Sequence, residues 1–185
     1  MRALGIDPGL VRTGWAVVEP VGSRSVVLGH GVISPPTPDE LPARLADGAR
    51  QLREVLSAYH PDLVALEEVF TAPRHPRSAL LMAHMRGALC LVLQEAGVPI
   101  LSLTATTVKQ RLTSSGHASK EQVQRMVLRL TDLEPTERLR LDETDAIALA
   151  LAGLHTRGLG SDVSGRGRRA LPPHIVARIA SLRTS

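Results

Sequence analysis

Aromatic side chains are scarce in this chain of 185 residues: Trp15, Tyr59 and Phe70 are the whole set. A core must therefore be filled by Leu, Val, Ile and Ala, and the 43% apolar content suffices for one domain but not comfortably for two. An aromatic beside a charged loop is consequently a candidate for a task other than packing. Cysteine occurs once, as Cys90 in an apolar run. That excludes an intrachain disulfide framework, a zinc knuckle or a redox pair, and it fits a reducing, cytoplasmic setting. The longest apolar stretch, Ala79 to Leu93, is interrupted by His84 and Arg86 and falls short of a bilayer span. The N-terminus carries Asp7 where a signal peptide would have its apolar run, so a soluble, untargeted protein with no membrane partner is expected. Lysine is rare as well, with Lys109 and Lys120 standing against twenty arginines. Of the formal charge of +4, the segment from Thr156 onward holds +5, in six arginines against Asp162, and leaves −1 for the rest. A basic end of this kind is compatible with a nucleic-acid partner without requiring one.

The apolar pattern predicts strands over 2–6, 13–18 and 25–33, the first two separated by the turn Asp7-Pro8-Gly9. Leu41, Leu45, Ala49, Leu52, Val55 and Leu56 recur at helical spacing within 38–59, and a strand over 63–69 ends at Glu67 and Glu68. The segment 77–96 reads as a helix apolar nearly all round, which a small domain should bury on two sides. A fifth strand over 98–103 precedes helices over 105–112, 119–130 and 142–155, with Ser119 and Gln122 placed as a capping box. This order is that of an α/β domain of ribonuclease H-like type, a five-stranded mixed sheet flanked by helices on both faces. It would occupy residues 1–156. Residues 157–185 form a basic tail that reads as flexible, with a possible short helix after Pro173.

Three acidic segments carry most of the functional signal: Gly5-Ile6-Asp7-Pro8-Gly9, Ala65-Leu66-Glu67-Glu68-Val69-Phe70 and Leu141-Asp142-Glu143-Thr144-Asp145. Asp7 and Glu67 stand at or near the ends of strands that can pair side by side. Asp142 and Asp145 are three residues apart, about 60° around one helix face. Taken singly, each acid has a bland explanation: Asp142 and Glu143 favour a helix N-terminus, and Glu68 reads as a solvated neighbour. Jointly they make a cluster that would repel itself without a divalent cation. Oxygen-only donors with no His or Cys cluster favour Mg²⁺ or Mn²⁺ over zinc, and the matching chemistry is two-metal hydrolysis of a phosphodiester.

Lys120 follows the Ser119 cap, where a helix dipole disfavours a cation, so an anion such as a phosphate is expected to compensate, and Lys109 is its companion. Phe70 precedes the loop Thr71-Ala72-Pro73-Arg74-His75-Pro76-Arg77. There it reads as a platform that stacks on or wedges into distorted nucleic acid, with Arg74 and Arg77 as basic contacts. His75 and His117 are read as solvated and carry no role.

These residues together resemble the RuvC family of bacterial Holliday junction resolvases. The likeness runs through Gly5–Gly9 with Thr13-Gly14, Pro61-Asp62 to Phe70, Ser78-Ala79-Leu80, Arg86-Gly87, Val108-Lys109-Gln110, Lys120 to Gln124 and Asp142 to Ala148. It implies an endodeoxyribonuclease of recombination and DNA repair that resolves four-way junction DNA by paired symmetric nicks. It further implies a homodimer, Mg²⁺ or Mn²⁺ as cofactor with two ions per site, and the RuvA and RuvB branch-migration proteins as partners. By the same likeness Asp7, Glu67, Asp142 and Asp145 are the catalytic and metal-binding acids, Lys109 and Lys120 contact phosphates, and Phe70 probes the junction. The chain departs from the family over Thr71–Arg77 and Leu80–Met85, where an Asn-containing polar motif and a Lys-Leu-Gly-Gln step are usual.

Three other readings share parts of this pattern. Asp-Pro-Gly before a Thr-Gly strand also resembles the phosphate loop of actin-like kinases and ATPases, which need two such domains. A branched-DNA binding module that keeps the fold without cutting, and a nuclease of the same fold with another nucleic-acid substrate, complete the set.

Overall fold

Alternation along the strand Ala3–Asp7 (β1) decides which side of the sheet each residue serves. Leu4 and Ile6 enter one apolar cluster and Ala3 enters another on the opposite face. Asp7 is two and four residues on from Gly5 and Ala3, so its side chain emerges on that second face. A computed structural model describes residues 1–9, 11–35, 40–69, 76–134 and 139–157, together with 173 and 177, and of 76, 77 and 157 it describes the backbone alone.

After β1 come β2 (Thr13–Val21), β3 (Arg24–Ile33), α1 (Leu41–Tyr59), β4 (Leu63–Glu67), α2 (Pro76–Glu95), β5 (Ile100–Leu103), α3 (Ala105–Thr113), α4 (Lys120–Leu130) and α5 (Leu141–Arg157). The sheet order is β3-β2-β1-β4-β5, with β1, β2 and β3 antiparallel and β4 and β5 parallel to β1. The ribonuclease H-like mixed sheet expected from the sequence is therefore what the chain adopts. The possible helix after Pro173 and the basic tail lie outside the described residues, apart from 157, 173 and 177.

Helices α1 and α2 cover the face built on Leu4, Ile6, Val64 and Leu66, through Leu52, Val55, Leu56, Met85, Leu89 and Leu93. The other face is lined by small residues, Ala3, Ala16 and Ala65, and receives α5, over which α3 and α4 pack through Val108, Leu112, Val123 and Val127. Every residue from Ala146 to Ala152 is buried, because α5 has the sheet on one side and helices on the other. That corrects one expectation. The helix enclosed on two sides is α5 and not α2, whose Leu80 and Leu91 are each 60% exposed.

Small residues beneath α5 let it lie close to the sheet. A Cβ added to Gly5 would stand 2.0 Å from the Ala146 carbonyl oxygen and 2.6 Å from the Ala150 nitrogen. At Gly14 it would stand 2.0 Å from the Asp142 carbonyl oxygen. Both contacts are with helix backbone, which cannot step aside as a flexible side chain can.

Strand and helix limits differ from expectation by a few residues for local reasons. β2 continues through Glu19-Pro20 because the hairpin with β3 runs past the last β1 pair, Ala3 with Val18, and proline is tolerated at such an edge. β4 stops at Glu67 because β5, its outer partner, stops at Leu103.

Candidate active site

Three chain segments meet at one end of the sheet. β1 and β4 pair in parallel with Ile6 opposite Leu66, so both strands deliver their next residue, Asp7 and Glu67, to the same edge and the same face. On the other flank of β1, Asp7 lies opposite Gly14 of β2. The backbone of Asp142 rests on that glycine, and its Cβ lies 3.1 Å from where a Gly14 Cβ would stand. The first turn of α5 thus brings Asp142, and with it Asp145, onto the strand ends.

Electrostatics report the same convergence. The Asp7 carboxyl is pushed up from 3.8 to about 8, chiefly by burial, then by a hydrogen bond and charge repulsion from Glu67 and by the charge of Asp142, with Lys120 opposing. A hydrogen bond to Glu67 favours the protonated form of Asp7, whose O–H donates it. Asp145 is also raised, by burial first and then by Asp7 and Asp142, while Lys120 and Lys109 pull it down. The Nζ of Lys120 stands 3.8 Å from Asp145 Oδ2, and the Nε of Arg12 stands 3.9 Å from Asp142 Oδ2.

Lys120 is the first residue of α4, held there by a capping box in which Ser119 accepts from the Gln122 N–H and the Gln122 side chain accepts from the Ser119 N–H. The Asp145 carboxylate is one anion that answers its unfavourable position on the helix dipole. Lys109 lies on α3, whose start is capped by Thr104 accepting from the Thr107 N–H at 3.1 Å.

The bland explanation holds for the remaining two acids. Glu68 is exposed. Glu143 turns away from the cluster: its Oε2 accepts from the Arg140 N–H at 2.8 Å, sealing the start of α5, and its Oε1 lies 3.1 Å from His30 Nδ1 on β3. Phe70 and Arg74 fall outside the described residues, as does the side chain of Arg77.

Among the described residues, no three His, Cys, Asp or Glu side chains stand as a ready-formed metal cage. The charges are answered instead by the proton that Asp7 retains, by Arg12 and by Lys120. The donor set nevertheless suits a hard divalent cation: every candidate ligand is a carboxylate, and the raised Asp7 and Asp145 show the cost of gathering them without one.

The model of the family described as crossover junction endodeoxyribonuclease RuvC matches residues 3–153. The chain belongs to the RuvC family. It is 40% identical to the RuvC of Geobacter metallireducens, over 86% of this chain and 95% of that protein. With the RuvC of Bordetella avium the identity is 42% over 89% of each. Among solved structures, Thermus thermophilus RuvC in complex with a Holliday junction substrate superposes with a TM-score of 0.77 at 30% identity, covering 85% of this chain and 96% of that one. The resemblance read from the motifs is borne out, and the family match reaches residue 153, within α5.

Sequence reasoning passed over Arg12, the contact of Glu143 with His30, and Arg86. Arg86 Nε donates to the Glu67 carbonyl at 3.0 Å. No local spacing announces these contacts, because their partners lie 130, 113 and 19 residues away in the numbering.

Proposed function

We propose that the protein is a Holliday junction resolvase, which nicks four-way junction DNA in a paired, symmetric way by two-metal phosphodiester hydrolysis during recombination and repair. The observation that carries this reading is the meeting of Asp7, Glu67, Asp142 and Asp145 at one sheet edge in a chain of the RuvC family.

Asp7, Glu67, Asp142 and Asp145 are the residues that would hold Mg²⁺ or Mn²⁺. Bound there, the metal would activate water and stabilise charge on the transferring phosphate. Asp7, whose carboxyl is raised, would give up its proton for this, so metal binding would release a proton. Lys120 and Arg12 lose the carboxylates they now face and become free to contact backbone phosphates of the substrate. Lys109, on the neighbouring helix, is the other phosphate contact, and Phe70, Arg74 and Arg77 serve the junction itself. No nucleophilic side chain is needed.

Paired nicks call for two equivalent sites, which a two-fold homodimer supplies. The exposed stripe of α2 that carries Leu80, Gly87 and Leu91 is the proposed interface. By family likeness, the RuvA and RuvB proteins would act with the dimer. No helix among the described residues is long and apolar enough to cross a membrane.

The test is nicking of a synthetic four-way junction with Mg²⁺ or Mn²⁺, against linear duplex, by the unaltered protein and by Asp7→Asn. Paired nicks confined to the junction and abolished by Asp7→Asn are expected. Junction binding with no cutting under either ion would instead support a binding module, and equal cutting of duplex another substrate.

A further inference from the structure

We propose that Arg86 is a positioning residue for Glu67, tying α2 to the end of the strand on which that carboxylate is carried. The proposal rests on the reading of Glu67 as a metal-binding acid and adds a residue through which it is aimed.

The argument starts from the peptide unit that joins Glu67 to Glu68, which is a plane with one acceptor and one donor. Its donor, the Glu68 N–H, is bonded to the Leu103 carbonyl of β5 at 2.9 Å. Its acceptor, the Glu67 carbonyl, receives the Arg86 Nε–H at 3.0 Å. With both polar ends held, the plane cannot rotate, so ψ of Glu67 is set and the direction of its side chain follows. The same guanidinium is steadied by a second bond, from Nη2 to Ser102 Oγ at 3.0 Å. Ser102 lies opposite Leu66 in the β4–β5 ladder, so both anchors of Arg86 belong to the two strands that meet at Glu67.

A planar, forked donor is suited to this task, because its two bonds fix an orientation that a single ammonium cannot. Without it the Glu67 carbonyl would turn to water at the strand end, where Glu67 and Leu103 are the last pair of the β4–β5 ladder. Arg86 is half-buried on α2, between Met85, which is fully buried in the core, and the open position Gly87. Its backbone is therefore fixed by packing, and only its head group reaches the site.

The experiment uses the full chain in three forms: unaltered, Arg86→Met and Arg86→Lys. Mn²⁺ binding is measured by calorimetry without DNA, and kcat and junction Kd are measured separately. For Arg86→Met, Mn²⁺ affinity and kcat should each fall by about 10- to 100-fold, the usual loss when a group orienting a metal ligand is removed. Junction Kd should stay within about twofold, and Arg86→Lys, which keeps one donor, should regain part of the loss. Ser102→Ala frees one end of the guanidinium without touching α2, so it should give a smaller loss in the same direction even where Arg86→Met fails to fold. Unchanged Mn²⁺ affinity and kcat in Arg86→Met and Ser102→Ala would overturn the proposal. So would a loss confined to junction Kd, which would make Arg86 a DNA contact. If the unaltered protein itself takes up no Mn²⁺, the reading of the four acids fails, and the role of Arg86 falls with it.

Discussion

Asp7 is the residue on which stability and the proposed metal binding would pull in opposite directions. Its carboxyl is raised from 3.8 to about 8 by burial and by Glu67. The folded chain therefore keeps a proton that the unfolded chain releases near pH 4. Between pH 4 and 8 the folded state binds more protons than the unfolded one, so this group makes the metal-free protein less stable as pH rises through that window. Asp7→Asn removes the titration while preserving shape. Melted in chelator, Asp7→Asn should exceed the unaltered protein by at least about 3 °C at pH 8, on the order of 1 kcal/mol for a domain of this size. The gap should shrink towards pH 5. Added Mg²⁺ should narrow the gap at pH 8 from the other side, by stabilising the unaltered protein alone. An equal gap at both pH values would mean that Asp7 is not the group carrying the proton.

At the scale of the element, the site depends on how near α5 lies to the sheet. Gly5→Ala would drive a methyl into the backbone of Ala146 and Ala150, so α5 must move. The expected cost is about 1–3 kcal/mol of stability, as for other overpacked cores. The greater effect should fall on activity, because the start of α5 carries Asp142 and Asp145 away from Asp7, and a shift near 1 Å can cost about 100-fold. Gly48→Ala is the control: its new methyl meets the tip of Met85 on the opposite face, a flexible side chain remote from the acids. Nicking by Gly48→Ala should match the unaltered protein. Sequence patterning foretold these elements well, since strand alternation and helix caps are local signals: Asp7, Glu67 and the capping box at Ser119 were all legible. The closeness of α5 was not, because a glycine in a strand does not say which backbone it makes room for. Nor could spacing reveal that Asp145 would answer Lys120, or that Glu143 would turn to His30. Those pairings arise only once β3, α4 and α5 are assembled. The expectation for α2 went astray for a related reason, since an apolar helix looks the same in sequence whether it is covered by its own chain or by another.

For the whole molecule, the exposed face of α2 bears on how the two proposed cuts would be coordinated. Leu80, Gly87 and Leu91 recur along α2 at helical spacing, and both leucines are 60% exposed. A Cβ at Gly87 would meet nothing within 4 Å. The stripe is thus apolar apart from His84, whose ring bonds the Leu80 carbonyl, and it is flat at Gly87, which suits close approach of a second helix. Four-way junctions have near two-fold symmetry, and a two-fold pair of α2 helices would present two acidic clusters in equivalent positions. Leu91→Glu places a charge in that stripe without touching the core, as its side chain already faces water. The expected protein is folded, with an unchanged Tm, but of single-chain mass by sedimentation at micromolar concentration where the unaltered protein sediments as a dimer. Its nicks on a junction should become uncoupled, leaving singly cut intermediates that the dimer does not accumulate. Mn²⁺ affinity per chain should be unaffected, because the acids and Arg86 all come from one chain. A Leu91→Glu protein that remains dimeric and still makes paired cuts would remove α2 from the interface and send the search to another face.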